Sequence, residues 1–171
     1  MKTIPTKINK YNVYNARNRL LGMGEEVTLP KFESSKETVS GAGVLGEFDD
    51  PTVGYFSNME QEIPFRVLDE EAVDMLDQTK AVQLELRGAQ QTVNSEGNTE
   101  FRPMRVVVRG KSADFDPGKV KAGNGMETSV VLTITYILIE LEDKPMVELD
   151  KINEVFKIRG VDVLAKIKEM C

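Results

Sequence analysis

Residues 126–142 read METSVVLTITYILIELE, and no other stretch of the chain is so plainly a β-strand. Between Val130 and Leu141 nearly every residue is Val, Ile, Leu, Thr or Tyr, types that fit a pleated surface, with neither Gly nor Pro among them. Strict alternation places Val130, Leu132, Ile134, Tyr136 and Leu138 on one apolar face, expected to be the core face. The opposite face begins as Ser129, Val131, Thr133 and Thr135 and turns apolar at Ile137, Ile139 and Leu141. A strand of about 15 residues spans about 50 Å, far beyond the usual length. It is expected to cross from one sub-structure to another, or from its own subunit into an assembly.

Composition bounds what surrounds this strand. A length of 171 residues favours a single domain over 1–171, and 40% hydrophobic residues suffice for a core. The formal net charge of -6 argues against a binder of phosphate backbones, whose footprint is a concentrated basic face. Cys171 is the single cysteine, which leaves no intramolecular disulfide or thiolate metal cluster and points to a reducing cytoplasm. No run of about 18 apolar residues could span a bilayer, so no stable membrane association is expected. The polar first 18 residues lack the apolar centre of a signal peptide, so any work outside a cell would follow lysis or a dedicated machine.

In chain order, Tyr11 and Val13 share one side of a short strand, and residues 26–30 (EVTLP) are its candidate hairpin partner. Residues 31–39 (KFESSKETV) are strand-like but polar on both faces, suited to an edge or to contact with another chain. Residues 40–54 (SGAGVLGEFDDPTVG) hold four glycines and almost no periodicity, the pattern of a long loop. Val44, Leu45, Phe48 and Val53 would be out of place in a merely solvated loop, so this stretch is expected to be a protruding arm that docks on something. Alternation returns over 55–66, with Tyr55, Met59, Ile63 and Phe65 on the buried side. A short helix follows over 68–79: Asp69 caps it, Glu70 and Glu71 suit its first turn, Leu68 and Val73 fit a hydrophobic staple, and Ala72, Val73, Met75 and Leu76 form its apolar stripe.

Beyond the helix, strands over 81–92 and 99–110 form a long hairpin around the Ser95-Glu96-Gly97-Asn98 turn. Met104, Val106 and Val108 point one way and Arg105 and Arg109 the other. A glycine-rich loop over 116–125 carries Lys119 and Lys121 into the long strand, Asp143-Lys144 turns it, and 146–149 pairs back. Residues 161–170 place Val163, Leu164, Ile167 and Met170 on one face of a C-terminal helix. The fold class is mainly β with some α: an antiparallel β-sandwich or partial barrel with one central short helix and a C-terminal helix.

Nothing in the sequence assembles a catalytic site. Histidine is absent, and with it the commonest general base and any Ser-His-Asp arrangement. No pair among the 28 acidic residues is singled out as a hydrolase dyad. Gly41-Ala42-Gly43-Val44-Leu45-Gly46 has the form GxGxxG, but it lacks the preceding buried strand and following helix of a dinucleotide site. Asp114, Asp116 and Gly118 lack the remaining ligands of a calcium loop. Neither an enzymatic activity nor a cofactor or metal is expected.

Short motifs in a fixed order carry a family resemblance: Val27-Thr28-Leu29-Pro30-Lys31; Gly41-Ala42-Gly43; Arg109-Gly110-Lys111 followed by Asp116, Gly118, Lys121 and Gly123; Tyr136 and Leu138; Val147-Glu148-Leu149-Asp150 with Asn153; and Gly160-Val161-Asp162 with Leu164. Over about 140 residues the chain resembles the major tail tube proteins of contractile-tailed bacteriophages and of R-type, pyocin-like bacteriocins, with residues 49–102 departing most. The resemblance implies a virion component that self-assembles: strands of six subunits join into a hexameric ring barrel, and rings stack into a tube inside a contractile sheath. Implied partners are further copies of itself, the tail sheath protein, baseplate and tail-terminator proteins, with possible passage of DNA through the lumen. The implied location is the bacterial host cytoplasm during assembly, then a virion or bacteriocin particle after lysis.

Under that resemblance the two strand pairs, 81–92 with 99–110 and 128–141 with 146–149, are expected to build the barrel wall. Its surface would carry Glu85, Arg87, Arg105, Arg109, Thr133 and Thr135; an intramolecular sandwich is the alternative. Val44, Leu45, Phe48 and Val53 of the arm are expected at a neighbouring subunit or ring, and Lys119 and Lys121 at the stacking surface. The first half of the Ser129-to-Leu141 face would meet a channel or interface, and its second half would pack under the C-terminal helix. Six copies at -6 each carry about -36 per ring, which would either repel DNA in the lumen or match a basic sheath. A type VI secretion-like tube protein and a monomeric β-barrel binding module are the competing readings.

Overall fold

The computed structural model describes residues 3–16 and 18–171. Met1, Lys2 and Arg17, which belong to the polar N-terminal stretch, lie outside the described residues.

Numbering strands along the chain, β8 (Thr128–Leu141) is the axis of the molecule. One of its edges pairs antiparallel with β7 (Thr99–Asp116) over nearly its whole length. The other edge is divided, its first half pairing with β5 (Glu60–Phe65) and its second with β9 (Lys144–Asp150). The unusual length therefore joins two strand systems, as expected. Beyond β7 the sheet continues through β6 (Val82–Val93), β1 (Ile4–Asn15) and β2 (Asn18–Arg19); beyond β9 it continues through β10 (Val155–Ile158) and β11 (Val161–Asp162). Among the described residues, the nine-stranded sheet does not close on itself within one chain. With two short helices, α1 (Glu70–Asp74) and α2 (Ala165–Lys168), the protein has the mainly β architecture read from its sequence.

A bulge divides β8. Arg109 pairs with Tyr136 and Gly110 with Ile134, leaving Thr135 unopposed. Gly110 permits this, because a Cβ there would lie 2.1 Å from the Thr133 carbonyl oxygen. The inserted residue shifts the alternation by one. Val130, Leu132 and Ile134 face the core as expected, but after the bulge the core face continues through Ile137, 1% exposed, and partly buried Ile139. The expectation that Tyr136 and Leu138 belong to the core is thus corrected; their side chains lie on the opposite face. A period of two cannot anticipate an inserted residue.

Val13, Leu84, Val106 and Val108 bring β1, β6 and β7 into the same core, with Met59, Ile63 and Phe65 from the β5 region and Leu20 from the loop after β2. Asp69 caps α1, accepting a hydrogen bond from the Glu70 amide at 2.7 Å, and Ala72 and Met75 are buried. Leu68 and Val73 are about half exposed, so a staple there does not serve the core. Residues 26–30 form no strand, contrary to expectation. Val27 packs on the core instead, and the Thr28 carbonyl accepts from the Gln61 amide at 2.8 Å. The true partner of β1 is β6, which offers a ladder from Ile4 to Asn15, far longer than a segment ending at Pro30 could. The stretch from 55 to 66 is interrupted at residues 57–59, leaving Met59, Ile63 and Phe65 buried but Tyr55 exposed.

Two further corrections concern the arm and the C-terminus. The stretch 40–54, expected to be an irregular loop, is the outer part of a β-hairpin: β3 (Ser34–Ser40) pairs with β4 (Glu47–Phe56), and only the glycine-rich turn between them is irregular. The helix expected over 161–170 is reduced to α2, because Val161–Asp162 is a strand and Asp162 accepts from the Leu164 amide and the Lys168 ammonium. Leu164 covers the base of the arm. Gly54 leaves room for it, since a Cβ there would come within 2.7 Å of Leu164 Cδ2. The C-terminal segment therefore does not cover the second half of β8, whose Ile137 and Ile139 belong to the main core.

Candidate assembly surfaces

The broadest surface is the face of the large sheet turned away from the core. Arg87 opposes Arg105, and Arg105 opposes Glu140, across β6, β7 and β8. Such cross-strand neighbours stand close enough for their side chains to interact. Arg105 bridges two carboxylates, with Nε 2.7 Å from Glu85 Oε1 and Nη1 2.7 Å from Glu140 Oε2. Arg87 Nε lies 2.6 Å from the same Glu85 oxygen, and its guanidinium stacks 4.7 Å from the Tyr14 ring centre. Arg109 stacks at the same distance over Tyr136, whose hydroxyl donates to Glu148 at 3.2 Å. Hydrogen bonds from Arg87 and Arg105 hold the Glu85 carboxyl below its ordinary range, and donating to Glu85 and Glu140 raises the Arg105 pKa. Burial, followed by the charge of Glu148, pushes the Tyr136 phenol up.

The structure thus brings together Glu85, Arg87, Arg105 and Arg109, four of the six residues expected on a wall. Thr133 shares their face but sits on the far side of the bulge, between Lys111 and Glu60. Thr135 turns its hydroxyl to the Arg109 carbonyl, 3.3 Å away, and so is spent within the sheet. On the Thr133 side, Glu60, Glu62, Asp114 and Asp116 are exposed with Lys111 as the neighbouring cation, so this half of the face is acidic while the other is balanced. Sequence reasoning missed Tyr14, Tyr136, Glu140 and Glu148. The β6–β7 register could have pointed to β8 positions opposite Arg105 and Arg109, but the bulge hid which those were.

The remaining expected residues lie on two projections. On the arm, Leu45 is fully exposed at the turn, Phe48 is 52% exposed, and Val44 and Val53 are also exposed. Val53 lies at the base, lining a groove with Tyr55, Leu164 and Ile167. Lys119 and Lys121 flank Val120, which is 89% exposed, in the loop between β7 and β8. That loop is closed by hydrogen bonds from Lys119 N to Met126 O at 2.7 Å and from Gly118 N to Asp116 Oδ1 at 2.8 Å. No hydrogen bond or ion pair joins arm and loop within the chain, among the described residues. The GxGxxG string is the turn of the arm and is followed by a strand.

This geometry defines a class: a mainly β protein with an open antiparallel sheet, a broad face cross-linked by ion pairs, and a hairpin standing off it. Residues 5–170 match the family described as phage tail tube protein FII, and the chain belongs to that family. It is 27% identical over 170 residues to the tail tube protein of Escherichia phage P2, covering 94% of each chain. To the major tail tube protein of Serratia phage KSP20 it is 25% identical over 157 residues, covering 92% of this chain and 90% of that one. The resemblance carried by the short motifs is therefore confirmed. The chain is a structural component of a phage-type tail tube. No helix among the described residues is long and apolar enough to cross a membrane.

Proposed function

We propose that this chain is the repeating subunit of the inner tube of a contractile tail. Six copies join into a ring, rings stack into a hollow tube, and contraction of the surrounding sheath drives that tube through the target cell envelope. The observation that supports it most is the open sheet. Among the described residues, the outer edge of β1 is paired only at Tyr14 and Asn15, and β3 and β4 pair with no third strand. Unpaired edges of this length are normally covered or paired. A monomeric binding barrel would close its sheet, whereas a ring leaves closure to the neighbouring copy.

In this reading the sheet face bearing Glu85, Arg87, Arg105 and Arg109 lines the shared barrel. Its balanced half stiffens the wall, and its acidic half, with Glu60, Glu62, Asp114 and Asp116, repels a nucleic acid backbone and keeps passing DNA from sticking. The role is structural, without catalysis. Sheath, baseplate and tail-terminator proteins are the partners, assembly takes place in the host cytoplasm, and the tube leaves in a released particle. A type VI-like tube protein would share the rings, but the family match favours a phage-type tail. Negative-stain microscopy and sedimentation of the purified full chain at rising concentration test the proposal. Hollow tubes or six-fold rings are expected; strict monomers at every concentration, even on added baseplates, would overturn it.

A further inference from the structure

We propose that the apolar face of the arm of one copy receives the loop between β7 and β8 of a second copy, Val120 seating against Val39 and Phe48 while Lys119 and Lys121 neutralise Glu37 and Asp50. This rests on the tube reading above and names the contact that propagates it. The β3–β4 register pairs Val39 with Phe48 and Glu37 with Asp50, so these four share one face of the hairpin. The reverse face is satisfied internally: Lys36 Nζ lies 2.8 Å from Asp49, which also accepts from the Thr38 hydroxyl at 2.8 Å. On the front, two carboxylates stand directly opposite each other with no cation in ion-pair reach among the described residues. Like charges in that position are destabilising, and a lone two-stranded hairpin is marginal in water. The face lacks a partner that is both apolar and cationic.

The chain carries a matching element. Val120 is 89% exposed, and neither flanking lysine has a carboxylate partner among the described residues. The loop is already tied down, with Met126 N donating to Arg66 O at 2.6 Å and Lys119 N to Met126 O at 2.7 Å, so little ordering cost opposes its use as a plug. Two basic groups at the base of the arm are committed elsewhere: Lys151 donates to the Phe56 and Ser57 carbonyls, and Lys168 pairs with Asp162. Each copy has one arm and one loop. Arm and loop are separate surfaces of one copy, so within the tube reading the contact runs head to tail and repeats from copy to copy.

Charge reversal tests the contact. Glu37→Lys with Asp50→Lys, or Lys119→Glu with Lys121→Glu, should each raise the concentration needed for tubes to pellet by about tenfold, equivalent to about 1.4 kcal/mol per copy. All four changes together should restore it to within about threefold. The thermal melting of each unassembled variant reports folding separately. In a Cys171→Ser background, Phe48→Cys with Val120→Cys should yield disulfide-linked ladders from oxidised tubes even if the reversals perturb folding. Reversals that assemble like the unaltered chain, a fourfold variant no better than the pairs, or tubes that oxidise only to monomers would overturn the contact. Failure of the unaltered chain to form any tube would instead remove the reading beneath it, and the contact with it.

Discussion

The two halves of β8 belong to one continuous strand, yet they are built on different plans. From Thr128 to Ile134 it lies between β5 and β7, buries Val130, Leu132 and Ile134 in plain alternation, and turns Ser129, Val131 and Thr133 to the other face. From Tyr136 onward it lies between β7 and β9, buries Ile137, and turns Tyr136, Leu138 and Glu140 toward the arginines of β6 and β7. One inserted residue, Thr135, separates the plans. Its consequence is chemical as well as geometric. Without the bulge, Tyr136 and Glu140 would point into the core, and the guanidinium groups of Arg109 and Arg105 would lose the partners that let them lie flat on the sheet.

The junction is therefore where the largest effect is expected. Gly110→Ala places a methyl group where the Thr133 carbonyl stands, 2.1 Å away, and no rotamer can relieve a clash made by Cβ itself. The bulge must open or the β7–β8 ladder must part, at a cost of about 4 kcal/mol or more, a loss that few mechanisms, backbone strain among them, produce. Chemical denaturation should show this loss, or the variant should fail to accumulate as soluble protein. A stable Gly110→Ala variant would mean that the two halves can share one phase.

The phase itself is tested by a pair of truncations beyond the bulge. Ile137 is 1% exposed in the main core, so Ile137→Ala should cost about 3 kcal/mol. Leu138 is only half-buried on the opposite face, and Leu138→Ala should cost about 1 kcal/mol. Unbroken alternation from Val130 demands the reverse order. Equilibrium denaturation of both variants decides between them.

What the sequence disclosed and what it concealed divide at the same place. The hairpins 81–92 with 99–110 and 128–141 with 146–149 emerge in place, because alternation marks them locally, although β7 runs on to Asp116 instead of ending at Gly110. Three features resisted. The Thr135 bulge depends on a close approach of Gly110 to a strand some 20 residues on, which no local window contains. Strand β4 was hidden because Pro51 and Gly54 within Glu47–Phe56 imitate a loop, although Pro51 needs no amide bond on an edge strand and Gly54 is a seat for Leu164. The β8–β9 turn places Glu142 and Asp143 at φ 52° and 59°, a left-handed pair that usually signals itself by Asn-Gly. Among the wall residues, the charged ones were legible as the polar face of a hairpin. That they form one network was not, since Glu140 and Tyr136 enter it only through the shifted register.

The smallest effect separates the polar faces of the two halves by pH. Glu85 accepts from Arg87 and Arg105, which holds its carboxyl below the ordinary value of 4.5. A carboxyl with a lowered folded-state pKa adds stability that is complete above its unfolded value and fades as pH falls through the folded one. At neutral pH, Glu85→Gln should therefore cost about 1 kcal/mol, a modest figure because Arg105 is 40% exposed and solvent screens the pairs. The deficit should shrink from about pH 5 downward as the native carboxyl is itself protonated. Thr133→Val, on the same face across the bulge, carries no ionisable group, so whatever it costs should stay constant over that range. Parallel denaturation curves at neutral and acid pH check both variants. A Glu85→Gln deficit that persists undiminished at pH 3 would show that the side chain matters to the wall by its shape and hydrogen bonds, and not by the charge that Arg87 and Arg105 hold in place.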